Sequence, residues 1–246
     1  MTNGVISLAH APEMESFLRR ARQHVLDDGY VYIKDVPDEF DHVSFIENFG
    51  RLTPQYDGKP VWDLKPEPGM DDVYHSRNTQ PLVPHTELYE YPGTPPRYLA
   101  LWCIRPAVGE GGETTLADGY AFLESFAPDE LEELERRQYK FVSTEGLRRQ
   151  GMGTSADHPM LERRADGRPI IRFSYNNMVD ADGDQLQARF REGMNRFFAD
   201  HHFGVSIERN GLLLWDNHRM IHSRTGFADR RRHLRRALLA EPALVQ

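Results

Sequence analysis

The strongest constraint on the fold is the spacing of the apolar and β-branched runs from residue 73 onward. Residues 73–78, 97–104, 113–117, 140–143, 169–175, 211–215 and 235–240 form short runs separated by turn residues. Runs this short are read as strands. Many short strands with few helices bury their apolar faces best as a sandwich or barrel. Helical periodicity is confined to a few places. Met14, Phe17, Leu18, Ala21 and Val25 form one stripe that ends near Asp27, Asp28 and Gly29, ahead of a short strand at 30–33. A short helix is expected over 41–48, closed by Gly50, and the Pro- and Gly-rich stretch 53–69 is read as a surface loop. Over 184–201, Leu186, Phe190, Met194, Phe197 and Phe198 share one helix face, which is expected to pack on the outside of a sheet. The acidic helix at 129–135 is read as a solvated face.

Residues 145–168 are rich in Gly, Arg and Asp and exceed the usual length of a connection, so they are read as a lid or an insertion. No repeat and no linker divides the chain, and residues 1–246 are taken as a single domain. A net charge of -8 argues against a nucleic-acid partner, although arginines cluster at 163–168 and 230–236. The lone cysteine, Cys103, lies within the apolar run 98–104 and is expected to be a buried, inert thiol. No stretch of about 18 apolar residues and no secretory leader pattern is present, so a soluble, cytoplasmic protein without a membrane partner is expected.

Two side chains with metal-ligand spacing stand at His85 and Glu87, where an extended backbone over 84–88 would direct both to one face. Such a pair needs a third ligand. The stretch Trp215, Asp216, Asn217, His218, Arg219, Met220, Ile221, His222 offers His222, with His218 as its competitor. Two imidazoles and one carboxylate on one face of an octahedron leave three positions open, a set that suits Fe(II) holding a chelating cosubstrate and dioxygen. The same three residue types also make a catalytic zinc site, so a zinc-dependent hydrolase is a competing reading. A non-enzymatic jelly-roll binding protein is another. A dicarboxylate cosubstrate requires a cation at its far end, and Arg232 and Arg236, four apart, are read as sharing one strand face. The Gly111, Gly112, Glu113, Thr114 sequence opens a strand and offers the Thr114 hydroxyl beside them.

Together, residues 84–87, 107–118 with the Gly-Gly-Glu-Thr core, 215–224 and 232–236 resemble the taurine dioxygenase and clavaminate synthase-like family of Fe(II)/2-oxoglutarate oxygenases. The resemblance spans about residues 78–239. It implies an α+β, mainly β, double-stranded β-helix (jelly-roll) core with flanking helices. It further implies iron on His85, Glu87 and His222, and 2-oxoglutarate on Thr114 and Arg236 with Arg232 assisting. Glu87 stands where most of the family has Asp, which looks like the branch acting on amino acids and their derivatives. It is also not the Ala or Gly of related halogenases. Ser223 replaces the glycine that usually follows the last histidine. The implied activity is O2-dependent oxidation, most simply hydroxylation, of an unactivated C–H bond in a small molecule of amino-acid type. Tyr74, Ser76, Asn78 and Arg224 are the candidate substrate contacts, the first three alternating along an expected strand. Arg163 and Arg164 in the expected lid are candidates to meet a substrate carboxylate or an acidic carrier protein presenting the substrate.

Overall fold

The structure is a computed structural model that describes residues 4–11, 13–73 and 76–241. In chain order its first elements are β1 (Val5–Ser7), α1 (Met14–Asp28), β2 (Tyr30–Lys34), α2 (His42–Ile46), β3 (Arg51–Thr53), β4 (Val61–Leu64) and β5 (Leu82–His85). Then follow β6 (Tyr98–Arg105), β7 (Thr114–Asp118), α3 (Gly119–Leu123), α4 (Pro128–Arg136), β8 (Tyr139–Val142), α5 (Glu145–Arg149), β9 (Ser155–His158), β10 (Leu161–Arg163) and β11 (Pro169–Ile171). The chain finishes with α6 (Gln185–His201), β12 (Phe203–Val205), β13 (Leu212–Asp216), β14 (Met220–Arg224) and β15 (His233–Ala240).

A seven-stranded sheet runs β1-β2-β13-β6-β15-β3, with β4 also paired to β15, and a four-stranded sheet runs β12-β7-β14-β5. Alternation along the central strands explains how they stack. On β6, Tyr98, Ala100 and Trp102 pack with α1 and α2, whereas Leu99, Leu101 and Cys103 face the other way. On β13, Leu212 and Leu214 face the helices, and Leu213 and Trp215 face inward. The inward set meets Leu116, Val205 and Met220 of the smaller sheet, making a core between two sheets. The smaller sheet's outer face, with Ala117 and Ile221, is covered by Phe122, Phe126, Leu134, Phe190, Met194 and Phe198 from α3, the turn after it, α4 and α6. The result is the jelly-roll arrangement expected from the sequence, mainly strand with flanking helices. Cys103 is buried in the inter-sheet core, where burial pushes its thiol up to about 11, so it is inert as expected.

Local chemistry sets several boundaries. Gly29, at φ 82°, ends α1 in the left-handed conformation that a side chain would resist. Asp41 and Asp184 cap α2 and α6 by accepting from the Ser44 and Gln187 amides.

Two expectations change and a third gains detail. The stretch 53–69 contains β4, whose Trp62 is buried and whose backbone pairs with β15 opposite Arg236, so its Pro and Gly residues flank a strand. Residues 73 and 76–78 form turns, not a strand, because the buried Asn78 side chain donates to the carbonyls of Met70 and Val73 and folds the chain back. Residues 145–168, expected as a lid or an insertion, carry regular structure: they contain α5, β9 paired with β8, and β10 paired with β11, and Leu147 of α5 lines the cavity that holds the site.

Candidate active site

His85 ends β5 and His222 lies in the middle of β14, and the two are direct partners across the antiparallel ladder. Their ring centroids are 4.2 Å apart. Glu87 reaches them by a different route from the one expected. The chain leaves the strand after His85 and turns, with Leu88 at φ 56°, so His85 and Glu87 converge through a turn and not by strand alternation. Asn217 secures that turn. Its Oδ1 accepts from the Glu87 amide at 2.7 Å, and its Nδ2 donates to the Glu87 carbonyl at 3.1 Å and the Pro96 carbonyl at 3.0 Å. Donor atoms of His85, Glu87 and His222 all lie within 4.8 Å of one another, and they are the only such cluster among the described residues.

The electrostatics suit a metal. Burial, partly opposed by Glu87, lowers the pKa of His85, whose Nδ1 faces the Val83 carbonyl at 2.8 Å. Burial, with His85 and Arg236 adding to it, holds His222 well below the usual imidazole value. Both rings are therefore neutral at pH 7, the form that ligates. Two neutral imidazoles and a carboxylate converging on one point fit a divalent iron, and the structure brings these three predicted residues together. His218 is not among them: its Nε2 faces the Pro95 carbonyl at 2.8 Å, where it braces the 95–97 segment.

The triad borders a cavity lined also by Tyr56, Trp62, Leu64, Ser76, Leu82, Leu99, Leu101, Thr114, Trp215, Arg224, Arg232, Leu234 and Arg236. On β15, Arg236 shares the inward face with Leu234 and Leu238, while Arg235 is turned outward to Asp63. Arg236 is already engaged, with Nη1 2.8 Å from Glu87 Oε1 and Nε 2.8 Å from Gln55 Oε1. Arg232 differs. It precedes β15 instead of sharing its face with Arg236, and its Nη2 donates to the Gly112 carbonyl at 2.9 Å, two residues before Thr114. No carboxylate among the described residues pairs with it, and burial pulls its pKa down to about 10. The expected Gly-Gly turn is required by packing: a Cβ on Gly111 would lie 1.9 Å from the Gly226 carbonyl oxygen.

The proposed substrate contacts fare unevenly. Tyr74 lies outside the described residues. Ser76 lines the cavity, but Asn78 is tied into its own loop. Arg224 also borders the cavity, yet its guanidinium donates to the Ser76 carbonyl at 2.8 Å, to Asn78 Oδ1 at 3.2 Å and to the Gln80 carbonyl, which makes it the brace of that loop. Arg163 pairs with Glu135 at 2.6 Å, and Arg164 is buried against Asp166, Asp216 and Glu241. Neither reaches the cavity, so their expected role at its mouth is withdrawn.

The sequence profile of the taurine catabolism dioxygenase TauD, TfdA family matches residues 6–238. The chain belongs to this family. TauD-family membership makes it an Fe(II)/2-oxoglutarate-dependent oxygenase, with dioxygen as the oxidant. Among solved structures it is similar to an asparagine oxygenase bound to Fe(II), 2S,3S-3-hydroxyasparagine and succinate, at TM-score 0.75 and 16% identity over 93% of this chain and 80% of that one. It is also similar to the non-haem iron oxygenase OrfP, as a D157A mutant with (3S)-hydroxy-L-Arg, at TM-score 0.69 and 20% identity over 92% and 80%. PvcB from Pseudomonas aeruginosa matches at TM-score 0.65 and 21% identity over 90% and 79%. At these identities the likeness is one of fold. No curated protein sequence matches the chain.

Within this TauD-family site, sequence reasoning missed three groups. Asn217 lies in the same stretch as His218 and His222, and nothing in its spacing marks it as a clamp on Glu87. Gln55 stands in the supposed loop. Tyr56 donates to Glu90 Oε1 at 2.8 Å, and burial raises the Glu90 carboxyl to about 7 and holds the Tyr56 hydroxyl well above its usual value. The Ser223 departure also finds a local reason: its hydroxyl donates to the Leu82 carbonyl, where the β14–β5 register shifts. No helix among the described residues is long and apolar enough to cross a membrane.

Proposed function

We propose that this oxygenase hydroxylates an unactivated C–H bond of a small molecule of amino-acid type, with His85, Glu87 and His222 holding Fe(II). The observation that carries the reading is the convergence of the three donors at a buried cavity that also holds Thr114 and an unpaired arginine. Thr114 and Arg232 would take the far carboxylate of 2-oxoglutarate. A buried guanidinium without an acid partner is costly until an anion reaches it, and a planar fork beside a hydroxyl matches a carboxylate. This exchanges the roles expected for Arg232 and Arg236, since Arg236 already has its carboxylate in Glu87.

The bound iron and cosubstrate supply the oxidising chemistry, which no side chain here can perform. The chain's own contribution is position and dryness. Asn217 fixes the backbone of Glu87, and the Ser223 hydroxyl, donating to the Leu82 carbonyl, fixes β5 against β14. Leu64, Leu99, Leu101, Trp215 and Leu234 wall the cavity with apolar surface that excludes water and strengthens every charge–charge contact inside. The Tyr56 hydroxyl, which donates to the buried Glu90, adds a polar group to the otherwise apolar wall. The amino-acid products bound to the asparagine oxygenase and OrfP are consistent with the proposed amino-acid class.

The test is succinate formation. Protein charged anaerobically with Fe(II) and 2-oxoglutarate is given oxygen in the presence of each amino acid in turn. One or more amino acids should raise succinate release with stoichiometric hydroxylated product. Release of succinate that no amino acid stimulates would overturn the substrate class, and hydrolysis without succinate would overturn the reaction.

A further inference from the structure

We propose that Arg236 is a positioning residue that restricts Glu87 to a single metal-facing oxygen. The inference rests on reading His85, Glu87 and His222 as the metal site. The two oxygens of Glu87 face different partners: Oε2 lies 3.9 Å from Nε2 of His222, where the three donors converge, and Oε1 lies 2.8 Å from Nη1 of Arg236. Arg236 is not free to follow a moving carboxylate. Its Nε donates to Gln55 Oε1 at 2.8 Å, Gln55 Nε2 donates back to the Arg236 carbonyl at 3.0 Å, and the guanidinium carbon stands 5.2 Å from the centre of the Trp62 ring. All of these groups are buried.

Glu87 is therefore held at both ends. Asn217 brackets its peptide through the amide and the carbonyl, and Arg236 holds one carboxylate oxygen. The freedom that remains is rotation about the terminal torsion, a broad and soft one in a free Glu, which a charge-assisted bond to a fixed guanidinium opposes. The consequence is chemical. A carboxylate that turned both oxygens to the metal would fill a position that the three-residue set leaves open. A cosubstrate that chelates takes two of those positions and dioxygen needs the third. Arg236 thus protects the third position, while Arg232 serves the cosubstrate's far end. Arginine suits the task better than lysine because its planar fork bonds Gln55 and Glu87 from different nitrogens at once.

The experiment uses Mn(II) alone as the probe and counts exchangeable water on the bound ion by water-proton relaxation, with bound Mn(II) measured separately by titration. Wild type is expected to carry about three such waters. Arg236→Met, similar in length but without donors, is expected to carry about two, a fall of about one third per bound ion. Gln55→Leu loosens Arg236 without removing its charge and is expected to shift the count the same way; it decides the matter if Arg236→Met does not fold. Equal counts in wild type and the variant, or a wild type with only about two waters, overturn the proposal while leaving the metal site intact. A wild type that binds no Mn(II) overturns the metal-site reading, and this inference with it.

Discussion

The two buried arginines of the cavity are chemically identical and differ in what surrounds them. Arg236 is on a strand, with a carboxylate, an amide and an indole around it before any ligand arrives. Arg232 sits on the turn before that strand, tied only to the Gly112 carbonyl and stacked 5.0 Å from the Phe227 ring, with its charge uncompensated. A satisfied buried charge is structural apparatus, whereas an unsatisfied one is a receptor. On the proposed reading, the difference separates the end of the cavity that shapes the metal ligand from the end that would receive the cosubstrate.

The largest effect tests the triad on which both ends depend. His222→Ala should abolish turnover and tight Fe(II) binding, whereas His218→Ala should leave iron affinity within a few-fold, as read by anaerobic calorimetry. Loss of iron in the His218 variant with retention in the His222 variant would place the triad elsewhere. Next comes the comparison itself. Arg232→Gln should weaken 2-oxoglutarate binding by roughly 10- to 150-fold, the equivalent of the ~1.5 to 3 kcal/mol of a hydrogen bond to a charged group. Arg236→Gln should change it only a few-fold, and the outward-facing Arg235→Gln hardly at all. The visible charge-transfer absorption of the anaerobic Fe(II) complex measures all three. If Arg236→Gln has the largest effect, the contrast between paired and unpaired arginine is reversed.

A smaller effect probes the polar wall beside Arg236. Burial lifts the Glu90 carboxyl from 4.5 to about 7, so the folded chain holds this proton more tightly than the unfolded chain does. Folding stability from this group therefore falls as pH rises from 4.5 through about 7. Glu90→Gln removes the titration. It should match wild type near pH 5 and be more stable at pH 8 by up to about 3 kcal/mol, as thermal unfolding at the two pH values will show. An equal gap at both pH values would mean that the proton occupancy of Glu90 is the same in the folded and unfolded chain over that range.

How much of this was legible depended on whether a residue's role leaves a pattern in the chain. Strands β6 and β13 are covered on both faces, so they read as unbroken apolar runs and were found almost to the residue. Strands β5 and β14 carry the two clustered histidines and pair with each other through a register shift, and their Pro, His, Ser and Arg content hid them. β4 was hidden by its flanking Pro and Gly residues. The three clustered donors could be read because metal chemistry restricts residue type. Asn217 and Gln55 could not, because an amide acting on a distant backbone or guanidinium leaves no spacing to detect. The division of labour between Arg232 and Arg236 is likewise a matter of neighbours: sequence supplied two cations, and only packing shows that one of them is already taken.

Asn217 joins Glu87 across 130 residues of chain, and His85 meets His222 only where β5 and β14 zip together. Contacts so far apart in sequence are slow to form, because loop-closure entropy must be overcome before they reward the chain. The three donors therefore cannot assemble in a partly folded chain that has made only its helices and local hairpins. Metal affinity should appear at the final step of refolding, together with the last long-range pairing, so that iron uptake acts as a kinetic marker for completion of the native topology.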